Sequence, residues 1–161
     1  MDITIVPARE SDVPVILQMI KGLAEYERLS HQVVATEDSL RETLFGPRPA
    51  AEVVLAYHRD EPIGFALFFH NYSTFMGRPG LYLEDLFVVP SRRGHGVGKL
   101  LLTHLASIAV ERRCGRMEWA VLDWNESAIG FYKRLGASML DDWRICRLTG
   151  DALVRAAAAA V

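Results

Sequence analysis

The sequence predicts an α/β (α+β) domain in which a mixed sheet is layered with helices on both faces. Three observations carry this. Adjacent strand-like runs joined by short turns are followed by two strand–helix–strand units. Half of the residues are hydrophobic, enough for a sizeable core and too many for a disordered chain. The length, 161 residues, fits a single domain spanning 1–161.

Residues 3–6 read as a first strand. Ser11 reads as an N-cap, with Asp12 and Pro14 in the first turn of a helix. Val13, Ile16, Leu17, Ile20 and Ala24 repeat at helical spacing and carry that helix to about Arg28. Thr36 caps a second, short helix, with Glu37 and Asp38 in its first turn and Gly46 as its stop. Residues 52–57 and 63–70 form a hairpin across Arg59, Asp60, Glu61 and Pro62, and the alternation of Phe65, Leu67 and Phe69 buries one face. A turn region at 73–80 leads into a central strand over 81–88. The next helix spans 98–114, with Leu101, Leu105, Ile108 and Ala109 as its core face. A strand over 117–122, a helix over 125–135 stopped by Gly136, a last strand over 143–148 and a short helix from about Asp151 complete the order. The alanine tail from Ala156 to Ala160 extends or frays that last helix.

Composition narrows the function classes. A net charge of −2 gives no reason to expect nucleic acid or an anionic membrane as partner, and suits a cationic substrate. No apolar run reaches membrane-spanning length, and the first residues lack a basic and apolar signal, so a cytoplasmic location is expected. Cys114 and Cys146 match no metal spacing and are expected as buried, reduced thiols. His31, His58, His70 and His104 have no mutual spacing that suggests a metal, and none is expected.

The chain is organised around the stretch LYLEDLFVVPSRRGHGVGK, residues 81–99. Arg92, Arg93, Gly94, Gly96 and Gly98 precede a helical apolar run. Glycines let backbone approach a ligand closely, and the helix start offers unpaired N–H groups and a positive dipole end. Together these make an anion site of phosphate size. Lys99 stands where a dinucleotide loop needs glycine, and Arg93 and Leu100 stand where a Walker A loop needs Gly and Ser or Thr. A surface turn would also use such glycines; the preceding strand, the two arginines and the following helix favour phosphate. Just before the loop, Glu84 and Asp85 lie side by side in an otherwise apolar strand, where acids are costly to bury without partners. Strand alternation puts Glu84 with Leu86 and Val88 on one face, and Asp85 with Phe87 on the other.

Arg93 to Gly98, RGHGVG, resembles the R-x-x-G-x-G acyl-CoA pyrophosphate loop of the GCN5-related N-acetyltransferases, the GNAT superfamily. Downstream, WNESAIGFYKRLGA at 124–137 resembles that family's second signature, N-x-x-A-x-x-F-Y-x-K-x-G-A. YLEDLFV and an early LAEYERL are similar to the diamine branch, the spermidine/spermine N1-acetyltransferase-like proteins. The resemblance runs from Ile5 to about Leu153. It implies a GNAT fold, a mixed and mostly antiparallel sheet splayed at the central strand, with acetyl-CoA in the gap and CoA as product.

The resemblance also implies roles. Arg93, Gly94, His95, Gly96, Val97, Gly98 and Lys99 would hold the pyrophosphate, and the backbone of Leu86, Phe87 and Val88 the pantetheine arm. Asn125, Ser127, Ala128 and Tyr132 would complete the cofactor site. Tyr26, Glu27, Glu84, Asp85, Glu118, Trp119 and Asp142 would line the amine site. An alkylammonium with a pKa of about 10.4 must lose a proton before it can attack. Glu84 is assigned that proton, through water. A CoA thiol resembles a cysteine, with a pKa near 8.5, and the Tyr132 phenol is assigned its protonation. The region Ser138 to Arg144 is shorter than in the diamine enzymes, and either Asp141 or Asp142 stands where their acidic contact sits. The expected activity is acetylation of a primary amine on a polyamine or a lysine-like amino acid such as thialysine, by direct attack in a ternary complex. A peptide or antibiotic amine, or an acyl-CoA-binding module without turnover, are the alternatives. A homodimer is implied by the resemblance alone.

Overall fold

The structure is a computed structural model and describes residues 2–159. In chain order it contains β1 (Thr4–Pro7), α1 (Val13–Tyr26), α2 (Glu37–Phe45), β2 (Glu52–His58), β3 (Glu61–Ser73) and β4 (Arg78–Val88). Then follow α3 (Val97–Glu111), β5 (Arg116–Trp119), α4 (Glu126–Arg134) and α5 (Gly150–Ala158). The chain divides into two compact units, Met1–Ala120 and Val121–Val161.

The first unit holds a sheet of order β1-β2-β3-β4-β5. Its pairs are antiparallel except β4 with β5, which is parallel. One face carries α1 and α2. Val13, Ile16, Met19, Leu40 and Leu44 pack there with Leu55, Phe65 and Phe87 into a buried cluster. The backbone of α1 comes close to β4: a Cβ on Gly22 would stand 2.8 Å from the Phe87 ring. The opposite face belongs to α3, whose Leu101 approaches the strand at Gly64. The sheet therefore has helices on both faces. It is also open at the centre. β5 pairs only with Gly80 to Leu83 of β4, so the stretch 84–88 has no β5 partner along that edge.

Several boundaries differ from expectation, each for a local reason. Ser11 lies in a 3-10 turn, Glu10–Asp12, and Asp12 takes the N-cap position of α1. The Arg9 N–H donates to Asp12 Oδ2 at 2.7 Å and closes that turn first. Helix α1 stops at Tyr26 rather than Arg28, because Arg28 turns left-handed at φ 61°. Helix α3 likewise stops at Glu111. Arg113 is left-handed at φ 56°, and the Cys114 N–H donates back to the Ala109 carbonyl, a Schellman-type ending. The hairpin turn narrows to Arg59 and Asp60, and the following strands run past their expected ends to Ser73 and from Arg78.

The second unit holds α4 and α5. Asn125 caps α4, accepting the Ala128 N–H at 3.3 Å, and Gly136 ends it at φ 94°. The expected strand over 143–148 does not form. Extended backbone needs a partner for its N–H and C=O groups, and no strand lies within this unit among the described residues. Trp143, Ile145 and Leu148 are exposed, and so is Cys146, expected as a buried thiol. Residues 120–122, expected in β5, are outside it as well. The alanine tail is helical to Ala158; Ala160 lies outside the described residues.

Candidate active site

The glycine loop opens as its composition requires. Gly94 and Gly96 have φ of 78° and 83°, conformations that L side chains rarely adopt. Gly96 is the N-cap of α3, and Leu100 N–H to Gly96 C=O, at 3.0 Å, is the first closed helical bond. The N–H groups of the first turn have no acceptor within the helix. An added Cβ at Gly94 or Gly96 would meet nothing within 4 Å, so the cradle is open. His95 folds back, with Nδ1 2.9 Å from the Arg93 carbonyl.

The two loop arginines do not project into that cradle as free cations. Arg92 pairs with Glu61 of β3. The Arg93 Nε donates to the Val88 carbonyl at 3.0 Å. Its guanidinium lies 4.5 Å from the Tyr26 ring centroid and 5.4 Å from that of Phe87. Arg93 thus ties the end of α1 to the end of β4. Cation–π contacts contribute about 0.5–2 kcal/mol. Arg93→Gln is therefore expected to raise KM for the amine by about 3–30-fold and to raise KM for acetyl-CoA less, read by steady-state kinetics with each substrate varied.

The acids sit on an irregularity. Leu67 of β3 faces Asp85, but Phe68 faces Leu83, so Glu84 is the extra residue of a β-bulge. Bulges re-aim side chains beside active sites. The bulge also resets the faces: Tyr82 pairs with Phe69, and Asp85 with Leu67, so Tyr82 and Asp85 share one face although three residues apart. Asp85 remains on the Phe87 face, as alternation predicts. Burial first, then Glu84 and Glu27, push the Asp85 carboxyl up to about 6. Glu27, immediately after α1, is itself raised by burial. Tyr82 is raised by burial, then by Glu84 and Glu118. The structure thus gathers Glu27, Glu84 and Asp85 into one electrostatic group.

Glu118 of β5 lies opposite Tyr82. It is bound by Arg116, whose Nε is 2.7 Å from its Oε1, while Asn71 Nδ2 reaches the same oxygen at 3.5 Å. Sequence reading missed Asn71, Tyr82 and Arg116. Only the three-strand register brings them together, and no local pattern encodes that register. Trp119 ends β5. In the second unit, Ser127, Ala128 and Tyr132 lie on α4, with the Tyr132 and Phe131 rings 5.4 Å apart. Asp141 and Asp142 are on the exposed irregular segment, away from any helix or strand.

Residues 20–137 match the acetyltransferase (GNAT) family model. The chain is 39% identical over 191 residues to L-ornithine N5-acetyltransferase NATA1 of Arabidopsis thaliana, covering 91% of this chain and 84% of that protein. It is 40% identical over 157 residues to thialysine N-epsilon-acetyltransferase of Mus musculus, covering 91% and 92%. Among solved structures, an integron cassette protein from the mobile metagenome of V. cholerae superposes with a TM-score of 0.81 at 28% identity, covering 98% of both chains. On this family match and these identities, the chain belongs to the GNAT family as an N-acetyltransferase.

Proposed function

We propose that the protein transfers the acetyl group of acetyl-CoA to a primary amine of a small cationic substrate, a polyamine or a lysine-like amino acid, by direct attack in a ternary complex. The observation that carries this reading is the bulge at Glu84, which sets two acids beside the open edge of β4.

The open cradle fits a pyrophosphate. The N–H groups from Gly94 to Lys99 are the donors, Lys99 adds a cation, and the 84–88 edge of β4 offers unpaired backbone to a pantetheine arm. Asn125, Ser127 and Ala128 are assigned to the same cofactor. Bound there, acetyl-CoA supplies an acetyl thioester and a thiol leaving group. Glu27, Glu84 and Asp85 draw in the ammonium, with Tyr26, Trp119 and Asp142 completing its site. Glu84 accepts its proton through water, with Asp85 sharing the charge. Tyr132 donates to the departing sulfur. The same resemblance extends the proposal to a single-domain, cytoplasmic homodimer with no nucleic-acid or membrane partner.

The test is thiol release from acetyl-CoA against spermidine, putrescine, thialysine, lysine, ornithine and a short peptide, with an enzyme-only blank for Cys114 and Cys146. Saturable release with a small amine is expected. CoA binding without release on any amine would make the protein a binding module.

A further inference from the structure

We propose that Arg93 couples the two substrate sites: its guanidinium carries the occupancy of the glycine loop to the end of α1, so that cofactor and amine bind with positive cooperativity. This rests on the transfer reading above, which assigns the two sites, and adds a positioning role for Arg93.

One residue spans three places. Its backbone enters the loop directly before Gly94. Its Nε donates to the Val88 carbonyl at 3.0 Å, at the end of β4. Its guanidinium carbon lies 4.5 Å from the ring centroid of Tyr26, the last residue of α1. Phe87 is shared between the partners. Its ring centroid is 5.4 Å from the same guanidinium carbon, and α1 rests on that ring at Gly22, where a Cβ would stand 2.8 Å away. The neighbouring Arg92 is held elsewhere, by Glu61 of β3.

The two ends of this link differ in character. On the loop side, Gly94 and Gly96 have φ of 78° and 83°. Glycine loses more conformational freedom on ordering than any other residue. An anion on the N–H groups after Gly94 orders that backbone, and with it the Arg93 guanidinium over Tyr26. On the helix side, the last turn of α1 is tightly closed. The Glu27 N–H donates to the Leu23 carbonyl at 2.9 Å, and the Leu29 N–H to the Ala24 carbonyl at 2.8 Å. Tyr26 and Glu27 therefore shift together, and the Glu27 charge acts on Asp85. Fixing Tyr26 fixes an acid of the amine site.

A ligand that orders one end lowers the entropy that the other ligand must remove, which is cooperativity without a new contact. Tyr26 keeps 39% of its surface exposed, so the contact is partly wet. The coupling then belongs at the exposed end of the cation–π range, about 2–5-fold. The two KM effects of Arg93→Gln divide accordingly. Loss of the clamp misplaces Glu27 whether or not cofactor is bound, and acetyl-CoA shares only the cooperative part.

The experiment measures calorimetric affinities for spermidine and L-ornithine, with and without saturating CoA, in wild type, Arg93→Gln, Tyr26→Leu and the double variant. Melting temperatures check that each folds. Wild type is expected to bind the amine about 2–5-fold tighter with CoA, and CoA tighter by the same factor with the amine. Each single variant is expected to abolish that factor, and the double variant to change it no further. An arginine serving the pyrophosphate alone would leave Tyr26→Leu fully coupled, and that result would overturn the proposal. Amide exchange gives a readout that needs no amine. CoA is expected to slow exchange over residues 24–29 in wild type but not in Arg93→Gln. Wild-type exchange that CoA leaves unchanged would overturn the proposal, whichever amine binds. Coupling without thiol release sinks the transfer and leaves the coupling. Thiol release from a wild type that shows no coupling sinks the coupling and leaves the transfer.

Discussion

Replacing Tyr132 with Phe is expected to lower kcat by about 100-fold, the low end of the general acid–base range, with CoA affinity retained. The reasoning starts from the leaving group. A thiol with a pKa near 8.5 departs readily as thiolate, so its protonation accelerates the step less than it would for an alkoxide. The phenol, with a pKa of about 10, is a modest acid that must be held in place. Tyr132 sits on α4, whose first turn is fixed by the Asn125 cap, and its ring rests beside Phe131. Phe keeps the ring packing and removes only the hydroxyl. Turnover under saturating substrates and CoA binding by calorimetry read the two quantities separately. An unchanged kcat would remove Tyr132 from the chemistry.

Asp85→Asn is expected to make the protein more stable and less active. Burial, then Glu84 and Glu27, raise the Asp85 carboxyl to about 6, so the folded protein holds a proton that the unfolded chain releases near pH 4. The stability carried by the protonated form is full below pH 4 and is lost as pH rises through 6. Asn stands in for the protonated acid at every pH. The variant should therefore melt above wild type at pH 8, with an advantage of up to about 3 kcal/mol. Water reaching this half-buried group reduces that figure, and the gap should close toward pH 4. Its kcat/KM should fall, because one anion is lost from the amine site. The wild-type acid limb, rising through about pH 6 where Asp85 ionises, should move in the variant. Urea melts across pH 4–8, paired with pH–rate profiles, check both halves. Equal loss of stability at all pH values would mean that Asp85 is a structural acid.

The readable parts of this chain were those encoded locally. Thr36 as the cap of α2, Gly46 as its stop and Gly136 as the stop of α4 each depend on a few neighbouring residues, and the structure has them. The acid pair in an apolar strand was also visible, because such residues are anomalous there. What escaped depends on pairing. The bulge at Glu84 exists only relative to β3, and the Arg116–Glu118 pair gains its meaning only from the register with Tyr82. The 143–148 segment reads as a strand in sequence, yet a strand needs an edge to join as well as a suitable composition. Arg93 shows the opposite case. Its motif points to phosphate, and its planar cation also lies over Tyr26 and Phe87, a contact across elements far apart in sequence that no local pattern encodes.

The central claim is direct transfer from acetyl-CoA to an amine with both bound at once. Its most direct test is the initial rate of thiol release over a matrix of acetyl-CoA and amine concentrations, using the best amine of the panel. Direct attack gives double-reciprocal lines that intersect, with no thiol released in the absence of amine. Parallel lines, with a burst of thiol from enzyme and acetyl-CoA alone, would show an acetylated enzyme and contradict the account.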